Sequence, residues 1–160
     1  MKEIKIETIL RLFDDLEELP FEVFQLMQSA TEARARAYAP YSNFSVGAAI
    51  LLDNGEVVTG NNQENASYPS GLCAERTAIY AAGAQYPDAK ILKIAICAGS
   101  KTNVTQTPIP PCGACRQAIS EYEIKQDAPI EIYFMGETGQ IAQSHSLKNL
   151  LPFMFDKSVL

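Results

Sequence analysis

Two short stretches, Cys-Ala-Glu at residues 73–75 and Pro-Cys-Gly-Ala-Cys at residues 111–115, decide how this chain must fold, because together they can bind one metal ion. They offer three thiolates to a soft, tetrahedral ion such as zinc: Cys73, Cys112 and Cys115. Three protein ligands leave one coordination position for water, which is typical of a catalytic metal. Glu75 stands two residues after the first cysteine and can move protons as a general acid and base. The pattern predicts an enzyme.

The local sequence predicts that both stretches begin helices. The two cysteines of the second stretch are three residues apart, so they share one face of a helical turn if Pro111 takes the first helical position. Cys73 begins an alanine-rich stretch, and a helix N-terminus lowers the pKa of a thiol. Two helix N-termini that face each other would assemble the site. We expect Arg76 and Arg116 to offset the negative charge of three thiolates by donating to sulfur.

The sequence around these cysteines resembles the cytidine deaminase family, specifically its small single-domain nucleoside enzymes. In zinc deaminases three His/Cys ligands hold the metal and a glutamate acts without binding it; here cysteine replaces the histidine. The resemblance spans about residues 21–155 through five motifs in one order, at residues 38–47, 61–68, 73–77, 111–117 and 150–155. It implies a three-layer α/β/α fold in which helices flank a mixed sheet of about five strands. It also implies a catalytic domain over residues 21–160 after an N-terminal extension, residues 1–20.

The resemblance further implies hydrolytic deamination of free cytidine and 2′-deoxycytidine. The products would be uridine and 2′-deoxyuridine with release of ammonia, as in pyrimidine salvage. One Zn²⁺ per subunit would activate water, with Glu75 as the proton carrier and Arg76 beside the ligands. The implied substrate contacts are packing of the base on Phe44, ribose hydroxyl groups bound by Asn62 and Glu64, and pyrimidine O2 bound by the backbone N–H of Ala74. The small enzymes of the family are homotetramers, and Phe155 matches a C-terminal phenylalanine that reaches a neighbouring site. Tyr41 and Tyr68 are expected in the pocket wall.

Two other functions compete with this one. A relative with the same metal site could deaminate another aminopyrimidine nucleoside, such as blasticidin S. A structural zinc protein would instead need a fourth ligand, and Cys97 is the spare cysteine. Cys97 ends the apolar run Ile-Ala-Ile-Cys, where a buried inert thiol is the commoner state. The single histidine, His145, lies among polar residues and is predicted to be a solvated surface residue.

Composition narrows the choice of substrate and compartment. The 160 residues carry a net charge of −6 and no Lys/Arg cluster, whereas polynucleotide binding needs a basic surface. A free nucleoside is therefore the expected partner. The N-terminal residues show no uninterrupted apolar segment, and no stretch approaches the length of a membrane span, so we expect a cytoplasmic protein.

Hydrophobic periodicity predicts the order of the elements. Residues 4–12 alternate between apolar and polar residues and are predicted as a strand, although a helix also fits. Pro20 is expected to open a helix to about Ala37 with a buried stripe: Val23, Leu26, Met27, Ala30 and Ala33. Further strands are predicted at 45–52, 56–60, 91–97 and 130–135, with helices after Cys73 and around Cys112, and a turn at 136–139. The loop 99–111 is expected either to border the site or to be ordinary surface.

Overall fold

The computed structural model describes residues 1–157 and 160 of the protein. Within these residues six strands and three α-helices follow one another, with short 3₁₀ turns between them. Their bounds are β1 (Arg11–Phe13), α1 (Phe21–Ala35), β2 (Phe44–Leu52), β3 (Val57–Asn61), α2 (Ala74–Gln85), β4 (Ile91–Ser100), α3 (Gly113–Gln126), β5 (Glu131–Met135) and β6 (Ile141–Ser144). In the described part of the chain, no helix combines the length and apolar character needed to cross a membrane.

The strands form one mixed sheet in the order β1-β6-β5-β4-β2-β3. β4 and β5 run parallel, and the other neighbouring pairs of the described chain are antiparallel. Helix α1 packs on one face of the sheet, and α2 and α3 pack on the other. The predicted three-layer fold is therefore confirmed, with six strands in place of about five.

Alternation along β4 separates the two cores. Ile94 and Ile96 point into the core under α2 and α3, whereas Ala95 and Cys97 point toward α1. The predicted apolar stripe of α1 is buried, from Val23 to Ala33, as the helical period requires. Small residues under α1 let that helix approach the sheet closely, and the larger isoleucines fill the space under α2 and α3.

Two glycines bring helices against the sheet. A Cβ at Gly47 on β2 would lie 2.0 Å from the carbonyl oxygen of Ala30 on α1. A Cβ at Gly60 on β3 would lie 2.5 Å from the backbone nitrogen of Ala78 on α2. These distances are far below van der Waals contact, so both positions require glycine. The second contact matters for function, because α2 begins directly after Cys73.

Three expectations about the elements need correction. The N-terminal strand is confined to Arg11–Phe13, the residues that pair with β6, because this partner strand has only four residues. β6 was missed because its four residues, two of them polar, are buried on both faces and do not alternate. Its polar Gln143 is accommodated by donating to the hydroxyl of Tyr133 at 2.9 Å.

The third correction concerns Pro111, which lies before α3 and not at its first position. Cys112 is the residue that precedes the helix, in an extended conformation, and its carbonyl accepts the N–H of Arg116 at 2.9 Å.

The structure also places the loop 99–111 and His145, for which the sequence made predictions. The carbonyl of Thr105 accepts the N–H of Glu137 at 2.7 Å, so part of the 99–111 loop packs on the β5–β6 turn. His145 is a surface residue as predicted, with 72% of its side chain exposed.

Candidate active site

The three predicted metal ligands meet where α2 and α3 begin. Cys73 immediately precedes α2, Cys112 immediately precedes α3, and Cys115 is the third residue of α3. The two helices pack against each other on the same face of the sheet, which brings their N-termini together. The side chains of a residue before a helix and of its third residue are natural neighbours, so the pair from α3 needs no distortion to converge.

The sulfur atoms have the spacing of a tetrahedral metal site. Sγ of Cys112 lies 3.8 Å from Sγ of Cys73 and 3.5 Å from Sγ of Cys115, and all three lie within 4.8 Å of one another. Zn–S bonds of about 2.3 Å in a tetrahedron place sulfurs roughly 3.8 Å apart, so one zinc ion fits. We call these three residues the sulfur cluster. Cys97 lies on the other face of the sheet and donates to the carbonyl of Gly136 at 3.4 Å, which excludes it as a fourth ligand.

The surroundings of the sulfur cluster favour negatively charged sulfur. A hydrogen bond from the thiol of Cys115 is the main cause that lowers the pKa of Cys73 to about 5. Partial burial opposes this shift, and hydrogen bonds from Arg76 and Cys112 add to the lowering. Nη2 of Arg76 lies 3.6 Å from Sγ of Cys73, as the sequence predicted. Arg116 was expected to donate to sulfur as well, and this is wrong. Its Nε and Nη1 donate to the carbonyls of Pro111 and Leu150 at 2.8 and 2.9 Å, so it fixes the loop before α3.

Glu75 places a buried carboxyl group beside the sulfurs. It lies in the first turn of α2 and is only 5% exposed. Burial raises the pKa of Glu75 above its usual value, and the charge of neighbouring Cys73 raises it further. A carboxylate whose pKa is raised by burial accepts a proton more readily than a solvated one, as a general base does.

A cavity of about 440 Å³ opens beside Cys73 and Arg76. Its walls come from the segments between α1 and β2 and between β3 and α2, and from the first turn of α2. They comprise Tyr41, Ser42, Asn62, Gln63, Glu64, Asn65, Tyr68, Gly71, Leu72, Cys73 and Arg76. The predicted wall residues Tyr41 and Tyr68 are both present, with their ring centroids 5.9 Å apart. The size and mixed polarity of this cavity suit a small polar ligand.

Asn62 lies on the cavity wall, but its amide already bonds to the backbone. Oδ1 accepts the N–H of Val46 at 2.8 Å, and Nδ2 donates to the carbonyl of Phe44 at 2.9 Å. These bonds fix the start of β2. An amide has one further donor and one further acceptor position, so Asn62 retains one of each for a ligand.

Glu64 is held in a similar way by the residues before β2. One carboxylate oxygen accepts the N–H of Tyr41 at 2.9 Å, and the other accepts the hydroxyl of Ser42. These hydrogen bonds, that of the Ser42 hydroxyl first, lower the pKa of Glu64 and keep it anionic. Sequence reasoning missed Ser42, although it lies within the motif at 38–47. We call these residues the polar rim: Tyr41, Ser42, Asn62 and Glu64.

The other three predicted substrate contacts lie outside the wall of this cavity as described. Phe44 is the first residue of β2 and is tied to Asn62 through its carbonyl. Ala74 is fully buried at the first position of α2, where its N–H has no acceptor within the helix. Phe155 is 62% exposed, and its carbonyl accepts from Nε2 of Gln117 at 2.8 Å. Their roles toward a substrate stay predictions.

Zinc-dependent deaminases are the class that combines such a sulfur cluster with a nearby glutamate that does not bind the metal. The family model for the cytidine and deoxycytidylate deaminase zinc-binding region matches residues 22–128. The chain therefore belongs to the cytidine deaminase family.

Individual relatives agree with this family. A cytidine deaminase of Halalkalibacterium halodurans is 42% identical over 132 residues, which are 81% of this chain and 91% of the relative. The cytidine deaminase of Mycobacterium tuberculosis is 42% identical over 115 residues, or 70% and 82% of the two chains. The crystal structure of the cytidine deaminase from Burkholderia pseudomallei superposes with a TM-score of 0.71 at 37% identity and covers 86% of this chain and all of that one.

Proposed function

We propose that the protein deaminates free cytidine and 2′-deoxycytidine to uridine and 2′-deoxyuridine, consuming one water and releasing one ammonia. The observation that carries this proposal is the sulfur cluster with the buried carboxyl of Glu75 beside it, at the edge of a nucleoside-sized cavity. The net charge of −6 is consistent with a free nucleoside as substrate and argues against a polynucleotide.

Cys73, Cys112 and Cys115 hold the zinc ion in this proposal, and Arg76 offsets part of the thiolate charge. Zinc held there supplies a Lewis acid that activates a water molecule for attack on C4 of the cytosine ring. Glu75 would accept a proton from that water and pass it to N3 of the ring. It would then move the remaining proton of the new C4 hydroxyl group to the amino group, which leaves as ammonia while the C4 carbonyl forms. Burial of the carboxyl keeps the proton from exchanging freely with solvent during these steps.

The polar rim orients the sugar. Glu64 is fixed as an anion by the N–H of Tyr41 and the hydroxyl of Ser42, and its remaining lone pairs can accept a ribose hydroxyl group. The free donor and acceptor positions of Asn62 can bind a hydroxyl group in the same way. Phe44 would pack against the base, and the N–H of Ala74 at the start of α2 would bind pyrimidine O2. Orientation by fixed groups lowers the entropy cost of reaching the transition state.

The exposed side chain of Phe155 supports the further proposal of a homotetramer in which this residue reaches a neighbouring site. Thiolate ligands must stay reduced, which supports a cytoplasmic enzyme of pyrimidine salvage. Sedimentation of the intact chain measures the assembly directly. A fully active monomer would contradict shared sites and leave the deaminase chemistry unaffected.

The assay that tests the proposed reaction measures ammonia release and the ultraviolet spectrum during incubation with each nucleoside. We expect stoichiometric ammonia and uridine from cytidine, abolished by a zinc chelator and restored by added zinc. Blasticidin S serves as the comparison substrate. Turnover of blasticidin S without turnover of either cytidine nucleoside would overturn the proposed substrate class. Absence of turnover on all three, with zinc bound, would favour a structural zinc site.

A further inference from the structure

Residues 1–10 stand apart from the rest of the protein. They precede the region that the family model matches and are exposed along their whole length. Their apolar side chains face solvent, with Ile4 86% and Ile9 72% exposed. The hydrogen bonds of the described residues leave this segment unconnected to the remainder of the chain, and an ion pair between Lys5 and Glu7 lies within it. Several apolar side chains that stay exposed within one short segment indicate an interaction surface.

The sheet is open where this segment joins it. β1 is the first strand in the sheet order and pairs with β6 on one side, so its other edge presents backbone N–H and C=O groups to solvent. An open edge of this kind can accept another strand. Residues 1–10 lead directly into this strand and belong to no helix or strand of their own, so they are free to continue β1 against a partner strand.

The two faces of the segment differ sharply. Even-numbered positions carry apolar residues and one threonine, namely Ile4, Ile6, Thr8, Leu10 and Leu12. Odd-numbered positions carry alternating charges around one isoleucine, namely Glu3, Lys5, Glu7, Ile9 and Arg11. Because residues directly opposite each other in antiparallel strands share a face, this pattern restricts how two copies can pair.

We propose that residues 5–13 of two copies of this chain pair as antiparallel strands around a two-fold axis at Ile9. Each residue then lies opposite the one equally far beyond Ile9 in the partner. Glu7 faces Arg11 of the partner subunit, and the symmetry repeats this ion pair on the other side. Leu12 lies opposite Ile6 of the partner subunit, so the apolar face is continuous across the junction. The contact is isologous and closes on itself.

Other registers lose these ion pairs or create repulsion. An axis at Thr8 places Lys5 opposite Arg11, and an axis at Glu7 or at Arg11 places that charge against its own copy. An axis at Leu10 forms no ion pair. An axis at Ile6 leaves all of β1 except Arg11 outside the pairing, and an axis nearer the N-terminus leaves out the whole strand. An axis between two residues sets the charged face against the apolar face. Like charges directly opposite one another destabilise a strand pair.

Within one chain Glu7 already forms an ion pair with Lys5. Replacing this pair by the one with Arg11 of the partner subunit costs little free energy. Lys5 and Glu7 are 84% and 73% exposed, and such exposed pairs contribute little to stability. Nine residues from each chain are, however, fewer than the roughly 20 to 30 per side of a stable interface. The pairing therefore adds to whatever association the rest of the protein provides.

A cysteine placed on the two-fold axis tests the proposal in the full, zinc-loaded chain. Ile9→Cys brings two thiols together, so a short bismaleimide should yield covalent dimer. Lys2→Cys, which is exposed but lies outside the paired residues, measures the yield from random collision, and the unsubstituted chain measures that from the native cysteines. We expect about fivefold more dimer from Ile9→Cys than from Lys2→Cys, since opposed strand residues have Cβ atoms about 5 Å apart.

Charge reversal then tests the register. Glu7→Arg or Arg11→Glu, each combined with Ile9→Cys, replaces two attractive pairs by two repulsive ones and should lower the yield about fivefold. The two reversals together restore opposite charges and should restore the yield. Equal yields from Ile9→Cys and Lys2→Cys would overturn the strand pairing. A double reversal that stays as low as the single ones would overturn the register. Neither result depends on deaminase activity.

Discussion

The sulfur cluster and the polar rim belong to one site but are built in opposite ways. The cysteines lie at the starts of two packed helices, with their sulfurs directed at a shared point. The rim residues lie in connecting segments, and Asn62 and Glu64 are already bonded to the backbone around β2. The cluster therefore depends on helix packing, whereas the rim depends on a local hydrogen-bond network. Substitutions in the sulfur cluster should therefore change zinc binding and turnover, whereas substitutions in the polar rim should change substrate binding.

Removal of one sulfur should have the largest effect. Cys115→Ser replaces a buried thiolate ligand by a poorer one, and two thiolates with a hydroxyl do not retain zinc as three thiolates do. We expect loss of stoichiometric zinc and of all measurable turnover. Cys97→Ser is the matched control and should keep both. Metal loss from the control would contradict the assignment of a three-cysteine site.

Moving α2 should damage the cluster without altering any ligand. Gly60→Ala places a methyl group 2.5 Å from the backbone nitrogen of Ala78, so α2 must shift. We expect the free energy of unfolding to fall by about 3 kcal/mol, with weakened zinc binding. Gly113→Ala is the control, because a Cβ there meets no atom within 4 Å. Equal thermal unfolding of the two variants would show that this contact does not position α2.

The rim should control substrate binding more than chemistry. Glu64→Gln removes a charged acceptor and should raise KM for cytidine about tenfold while kcat changes little. Hydrogen bonding, first of all from Ser42, lowers the pKa of Glu64 in the folded protein. The contribution of its charge is therefore present above the ordinary pKa of a glutamate and is lost as the pH falls through the lowered value. Wild-type KM should rise at acidic pH, and KM of the variant should lack this component. Identical pH profiles would contradict the role of Glu64.

Ser42 should have the smallest effect of the four. Ser42→Ala removes the hydroxyl that fixes Glu64 and should raise KM about fivefold, the equivalent of one hydrogen bond of roughly 1 kcal/mol. Ser29→Ala on α1, across the sheet, is the control for loss of a hydroxyl group. In the double variant with Glu64→Gln, the Ser42 substitution should raise KM almost no further than Glu64→Gln alone does. Full additivity would show that the two residues act separately.

The sequence predicted the cluster better than the rim for a physical reason. Ligand type and spacing restrict a metal site strongly, so the convergence of three cysteines followed from the motifs and two helix starts. The side-chain to backbone bonds of Asn62 depend on where β2 and β3 lie relative to each other, which no local pattern encodes. Arg116 illustrates the same limit, because it donates to Leu150, 34 residues further along the chain.

The same distinction applies to the fold. The stripe of α1 was predicted correctly because it follows from local helical periodicity. Strands β2 and β3 were predicted correctly as well, and the short turn between them contains Gly55 with a φ of 87°. β6 was missed because burial on both faces removes the alternation that identifies a strand. β1 is short because its partner strand has only four residues, and the alternation of its own residues does not show this.

In the proposed reaction Glu75 transfers protons beside a metal that three cysteines hold. Glu75→Gln keeps the size and burial of the side chain and removes its ability to carry a proton. The decisive measurement is zinc content and cytidine turnover on the same purified variant. We predict one zinc per subunit, as in the unsubstituted protein, with turnover reduced by about 10⁴-fold, at the upper end for general acid–base catalysis. Loss of zinc, or retention of turnover with zinc bound, would contradict the account.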